Sequence, residues 1–192
     1  MQEKEFLKTI FSENDFKDEE LSTILPKFKK VKLKKNEYLL QEGQTENHYW
    51  FLESGFARSF VTDINGNDIT TNLYSSEDIV IDYSSFFLRS PTRENIQALT
   101  KCVCWQIDFE NFQQLFHGIE TFREHGRTIL VNSYFVLKNH RVSIIADQAK
   151  ERYIQFLKDK PQIVKNVALQ HIATFLGITK SSLSRIRKDI CL

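Results

Sequence analysis

Leu169-Gln-His-Ile-Ala-Thr-Phe-Leu-Gly-Ile-Thr-Lys-Ser-Ser-Leu-Ser-Arg-Ile-Arg-Lys188 is the stretch from which the rest of the chain is most directly read. Ile172, Phe175 and Leu176 form the inner face of a short helix, and Ala173 is small where a following helix must cross closely. Gly177 supplies the left-handed residue of a turn, Ile178 plugs its corner, and Thr179 is a helix N-cap. Leu183 and Ile186, three apart, anchor the second helix. This is the helix-turn-helix pattern. The outer face of the second helix carries Thr179, Lys180, Ser181, Ser184, Arg185, Arg187 and Lys188, donors suited to phosphate oxygens and guanine edges. Arg185 lies where a base contact is expected, and Arg187 and Lys188 where they would position the backbone. The bland alternative is an αα-hairpin with a solvated basic face.

The charge distribution points the same way. The 192 residues carry a net charge of only +1. Residues 147–192, however, hold nine Lys/Arg against four Asp/Glu, a surplus of five, and the preceding residues hold a deficit of four. A basic C-terminal segment on an acidic body suits a polyanion contact at that end. With 41% hydrophobic and 27% charged residues the composition is that of a soluble folded chain. The longest apolar runs are only a few residues, far short of a membrane span, and the acidic, polar start Met1-Gln-Glu-Lys-Glu5 has no signal-peptide pattern. A cytoplasmic protein with no membrane partner is expected. Cys102, Cys104 and Cys191 suit neither a disulfide framework nor a four-ligand metal site and read as buried or incidental thiols. No Gly-rich phosphate loop, nucleophile elbow or His-Glu-x-x-His is present, so an enzyme is not expected.

Upstream the hydrophobic period changes twice. Phe6, Leu7, Ile10 and Phe11 recur at helical spacing, Asp18 resembles an N-cap, and Pro26 stops the second helix. From Phe28 the pattern is of short strands. Gly55–Thr62 leads into a hairpin at Asn65-Gly66, Ile69–Tyr74 returns, and Ile96–Ile107 reads as one last long strand. Six lysines between Lys27 and Lys35 read as the solvated face of an edge strand. Asp108 caps a helix with Phe109, Phe112, Leu115 and Phe116 inward. Ile119–Ala146 follows as a long helix whose Leu130, Tyr134, Leu137 and Ile144 make a stripe, to be buried against the barrel or across a dimer seam. Asp147 caps a further helix that Pro161 ends. The fold class expected is α+β: an N-terminal double-stranded β-helix (jelly-roll) barrel over residues 1–118, a long helix over 119–146, and a small helix-turn-helix domain over 147–192.

A small barrel, a long helix and a C-terminal Leu183-Ser-Arg-Ile-Arg187 helix together resemble the Crp/Fnr superfamily of transcription regulators. Asn36–Gly43 looks like that family's first strand and turn, and Tyr49–Gly55 like its second. The resemblance implies a homodimer joined through the long helix, palindromic double-stranded DNA and RNA polymerase as partners, and a cyclic-nucleotide-type pocket holding a small-molecule effector. The residues placed at that pocket are Asp82, Tyr83, Ser84, Ser85 and Arg93. The chain departs from the family where the ligand sits. Ile81-Asp82-Tyr83 replaces a Gly-Glu-Leu turn, and Arg93-Glu94-Asn95 replaces an Arg-Ser/Thr-Ala element. Glu94 sets a carboxylate where an anion would need donors, and Arg93 is expected to pair with it internally. A cyclic nucleotide is therefore a disfavoured cofactor, and an unrelated effector or none is expected. The aromatic Tyr83, Phe86 and Phe87 would close over an apolar ligand or fill the space. The Pro161–Val167 connection leaves little room for a β-hairpin wing. The competing reading is a cyclic-nucleotide-fold interaction module whose helix-turn-helix no longer reads DNA. Such a copy should have lost its basic donors, and this one keeps Lys180, Arg185 and Arg187.

Overall fold

The computed structural model describes residues 4–12 and 16–190. Helices α1 (Glu5–Ser12) and α2 (Asp18–Ile24) precede a single 3₁₀ turn at Leu25–Lys27, with Pro26 inside it. Eight strands follow among the described residues: β1 (Lys29–Leu33), β2 (Tyr38–Leu40), β3 (His48–Ser54), β4 (Ala57–Thr62), β5 (Asp68–Tyr74), β6 (Ile79–Val80), β7 (Asn95–Ala98) and β8 (Cys102–Asp108). They form two antiparallel four-stranded sheets, ordered β1-β8-β3-β6 and β2-β7-β4-β5. Helix α3 (Tyr83–Leu88) lies between β6 and β7. After the sandwich come α4 (Phe109–Gly118), α5 (Glu120–Ala146), α6 (Ala149–Asp159), α7 (Pro161–Asn166), α8 (Leu169–Phe175) and α9 (Lys180–Ile190). No helix of the described residues is long and apolar enough to cross a membrane.

Strand β3 shows why the sandwich needs covering on both sides. Trp50 and Leu52 point between the sheets, packing with Leu40, Ile96, Cys102 and Cys104. Tyr49 and Phe51, alternating with them, point outward into a second cluster with Leu7, Phe11, Phe112 and Phe122 from the helices. A third cluster joins Tyr153, Ile163, Ile172, Ala173, Leu176 and Leu183 of α6–α9 to Leu73 of β5. The turn at Gly55 has φ +100, and a Cβ there would lie 2.5 Å from the Lys101 carbonyl oxygen. Glycine is required on both counts.

Several local expectations need correction. The single strand foreseen over Ile96–Ile107 is two, because the chain turns a corner at residues 99–101 to pass from one sheet to the other. Leu99 leaves the strand face and packs against the third cluster. Lys17 rather than Asp18 is the N-cap of α2, and Gln148 rather than Asp147 caps α6. Pro161 does more than stop α6: it occupies the first turn of α7, so the expected short connection is helical. The Ser84–Phe87 segment is helical too. The Asp108 cap is present, its carboxylate accepting from Asn111 N at 2.8 Å.

Candidate nucleic-acid interface and barrel interior

Helix α8 ends in a Schellman motif. Ile178 N donates to the Ala173 carbonyl at 3.0 Å, Gly177 N to the Thr174 carbonyl at 3.1 Å, and Gly177 has φ +68. The Thr179 hydroxyl then accepts from Ser182 N at 3.1 Å, capping α9. Fully buried Leu183 and Ala173 hold the two helices together. The opposite side of α9 exposes Lys180, Ser181, Arg185 and Lys188, with Ser184 half-buried among them and exposed Arg187 on the flank. The spacing 180, 181, 184, 185, 188 is one helical face. Among the described residues none of Lys180, Arg185, Arg187 and Lys188 is in an ion pair, so four positive charges face solvent unneutralised. Thr179 is different: its hydroxyl is engaged by the cap and by Ser181 and Ser182.

The long helix α5 presents two stripes. One faces its own chain: Phe122 is buried in the helical cluster, Ser133 meets Tyr83, and His140 stacks on Phe175 at 4.3 Å. Ile144 belongs to this stripe, its Cδ1 lying 3.2 Å from where a Gly177 Cβ would be. Leu130, Tyr134 and Leu137 lie on the other face, 44%, 60% and 65% exposed. Val131, Phe135, Val142 and Ile145 share that exposure and were missed by the sequence reading, although 131, 135, 142 and 145 fit a heptad-type spacing. Among the described residues, nine of the thirteen large exposed hydrophobics belong to this one helix, too concentrated for scattered surface apolar residues.

The barrel end near β6 and β7 holds carboxylates. Asp82 caps α3, accepting from Ser84 N (3.0 Å) and Ser85 N (3.1 Å), and its second oxygen accepts from Thr92 Oγ1 at 2.6 Å. Burial works to raise this carboxyl, but the hydrogen bonds from Thr92, Ser84 and Ser85 outweigh it and hold it below the usual range. Glu94 is pushed up, first by burial and also by the charge of Asp82. Glu46, 1% exposed, is pushed up to about 7, chiefly by burial, with Asp82 adding to the shift. Its Oε1 accepts from His48 N at 2.9 Å, while its Oε2 has no hydrogen-bond partner. No pattern in the sequence marks Glu46, which sits in a polar turn.

The residues expected at a pocket are thus brought together only in part. Asp82, Ser84 and Ser85 are adjacent but engaged with one another, and buried Ser85 donates to the Ser90 carbonyl at 2.6 Å. Tyr83 reaches Ser133 of α5 at 3.2 Å. Phe86 is fully buried core. Arg93 is exposed, and the internal pair expected with Glu94 does not form among the described residues. Burial pushes the Cys104 thiol up to about 12 and Cys102 upward too, the reverse of what thiolate chemistry needs. Cys191 lies outside the described residues.

Residues 30–118 match the cyclic nucleotide-binding domain family. Solved structures of like shape extend over nearly the whole chain. The c-di-GMP-responsive global regulator CLP of Xanthomonas campestris superposes with a TM-score of 0.71 at 15% identity, covering 91% of each chain. FixK2 of Bradyrhizobium japonicum gives 0.73 at 13% identity, covering 85% of this chain and 84% of its own. A Crp/Fnr-family transcriptional regulator from Eubacterium rectale gives 0.70 at 15%, covering 91% and 83%. No curated protein matches in sequence. At such identities the likeness establishes the fold.

Proposed function

We propose, for a chain whose residues 30–118 are a cyclic nucleotide-binding domain set within the fold of the Crp/Fnr-family regulators, that it is a sequence-specific DNA-binding transcription regulator acting as a homodimer. In this reading residues 1–118 are the effector domain, α5 is the dimerisation helix and 147–192 are a helix-turn-helix domain whose α9 enters the major groove. The observation that carries it is the unpaired basic face of α9, held by a capped turn against α8. Two α9 helices related by a two-fold axis would read an inverted repeat. RNA polymerase as a partner belongs to the same reading.

The test separates two kinds of contact. Arg185→Ala should remove about 1–3 kcal/mol of discrimination at one base position. Lys188→Ala should weaken every duplex alike and lower the salt slope by about one unit. Titrations of both variants against a specific and a random duplex at several salt concentrations give the answer. Equal losses on both duplexes for Arg185→Ala would remove its base-reading role.

The carboxylates at this end of the barrel speak against a cyclic nucleotide and leave an unrelated effector or none. A cyclic phosphate needs convergent donors, whereas Glu46 and Glu94 each meet the repelling carboxylate of Asp82, and Arg93 is exposed to solvent. Millimolar cyclic AMP or cyclic GMP is expected to leave the thermal midpoint unchanged. A ligand at about 100 times its Kd would add ~2.7 kcal/mol. An upward shift with either nucleotide contradicts this and makes Asp82 and Arg93 the residues to replace first.

A further inference from the structure

Among the described residues, Arg58 on β4 is the one arginine of the sandwich taken out of water, 4% exposed, and its hydrogen-bond and ring partners lie on β4, β5, β7 and α8. Its guanidinium donates to Asp68 Oδ2 at 2.7 Å and to Gln97 Oε1 at 3.3 Å, lies 3.8 Å over the Phe60 ring, and meets His171 Nδ1 of α8 at 3.1 Å. A guanidinium has no acceptor, so it donates to His171 and requires that ring nitrogen to be unprotonated. The Arg58 Nε is buried with no partner. Burying a charge with an unmet donor is unfavourable, and a hydrocarbon side chain would fill the space at less cost.

What the arginine provides is a directional joint between sandwich and helices. Two further polar contacts cross from sandwich to helices: Thr70 N of β5 donates to Thr174 Oγ1 of α8 at 3.2 Å, and Lys160 pairs with Asp78 at 2.7 Å. Leu73 of β5 is built into the α6–α9 core. Apolar contact tolerates sliding, whereas a planar fork bridging Asp68, Gln97 and His171 fixes one orientation. The next residue on the strand, Ser59, faces the other way and bonds the Tyr74 hydroxyl at 2.8 Å, so the joint and the barrel interior share β4.

We infer that Arg58 is a positioning residue for DNA binding: its fork across Asp68 and His171 clamps the helix-turn-helix onto β5 so that a dimer presents its two α9 helices already set for an inverted repeat. This rests on the DNA-binding reading above. Loosening the clamp leaves each helix-turn-helix able to bind but spreads the pair over many relative orientations, and apparent affinity falls by the fraction still competent.

The experiment uses the full chain. Arg58→Ala should weaken binding to the inverted repeat by about tenfold or more while leaving a duplex with one half-site within about twofold. His171→Asn retains an acceptor near the Nδ1 position and should bind like the parent. His171→Arg sets two cations together and should behave like Arg58→Ala. Arg58→Ala with His171→Ala should cost little more than either alone, since both break one joint. Amide NMR relaxation supplies a readout independent of DNA. In the parent, α8 and α9 should tumble with the sandwich, and in Arg58→Ala they should tumble faster while the sandwich signals stay dispersed. Equal losses on one and two half-sites, or unchanged tumbling in Arg58→Ala, would overturn the clamp. A parent that prefers no duplex sequence defeats the DNA-binding reading instead, and the relaxation comparison still decides the clamp.

Discussion

Replacing Tyr134 and Leu137 of α5 together by lysine is expected to leave the chain folded, monomeric and unable to bind an inverted repeat tightly. Both side chains are more than half exposed in the protomer, so neither contributes much to its own core. In a two-fold seam each occurs twice. Burial is worth ~1.5–3 kcal/mol per large apolar side chain, so four lost side chains amount to roughly 8 kcal/mol before any repulsion. Setting four ammonium groups face to face adds an uncompensated desolvation cost. A loss of that size raises the dimer dissociation constant by about five to six orders of magnitude. Sedimentation at micromolar protein should show monomers with a retained thermal transition, and the affinity should drop to that of one half-site. A double variant that remains dimeric places the seam elsewhere and leaves the exposed stripe of α5 without an occupant.

Glu46→Gln should stabilise the protein increasingly as the pH rises from about 4.5, and in full above about 7. The carboxyl titrates near its ordinary 4.5 in the unfolded chain and at about 7 in the folded one. Below the lower value it is protonated in both states and costs nothing. Between the two, the unfolded chain ionises first and stability falls by ~1.4 kcal/mol per pH unit. Above the folded value both states are charged, and the full penalty of about 3 kcal/mol persists. Glutamine keeps an acceptor for His48 N and has no charge to desolvate. Denaturant unfolding at equal protomer concentration should show the variant close to the parent near ~pH 4 and more stable by up to about 3 kcal/mol near ~pH 8. A pH-independent difference would mean that the Glu46 carboxylate is adequately solvated or paired.

The parts legible in the sequence are those whose geometry is local. The α8–α9 turn is encoded in consecutive positions: Ala173 for the crossing, Gly177 for the positive φ, Thr179 for the cap and Leu183 for the anchor. The Asn65-Gly66 hairpin and the Asp108 cap are equally local. What escaped depends on contacts distant in sequence. The break at residues 99–101 is invisible to alternation, because it arises where the chain leaves one sheet for the other. Helix α3 spans only six residues, too few for a period to register. Ile144 has the spacing of the outer stripe of α5, but it packs on the turn at Gly177, a neighbour more than thirty residues on. Arg58 and Glu46 are single charged residues in ordinary-looking segments. Only the fold reveals that each is buried, one against α8 and one against Asp82.

Two α9 helices facing DNA from one two-fold dimer would impose a fixed half-site phasing, and that phasing is the most direct test of the proposed regulator. Duplexes enriched from a random pool by the intact protein would be compared with versions carrying half a helical turn inserted between the half-sites. The predicted result is an inverted repeat with half-sites centred about 34–36 Å apart, whose affinity falls to the single half-site level on insertion. An enriched site without two-fold symmetry, an affinity indifferent to the insertion, or no enrichment at all would contradict it.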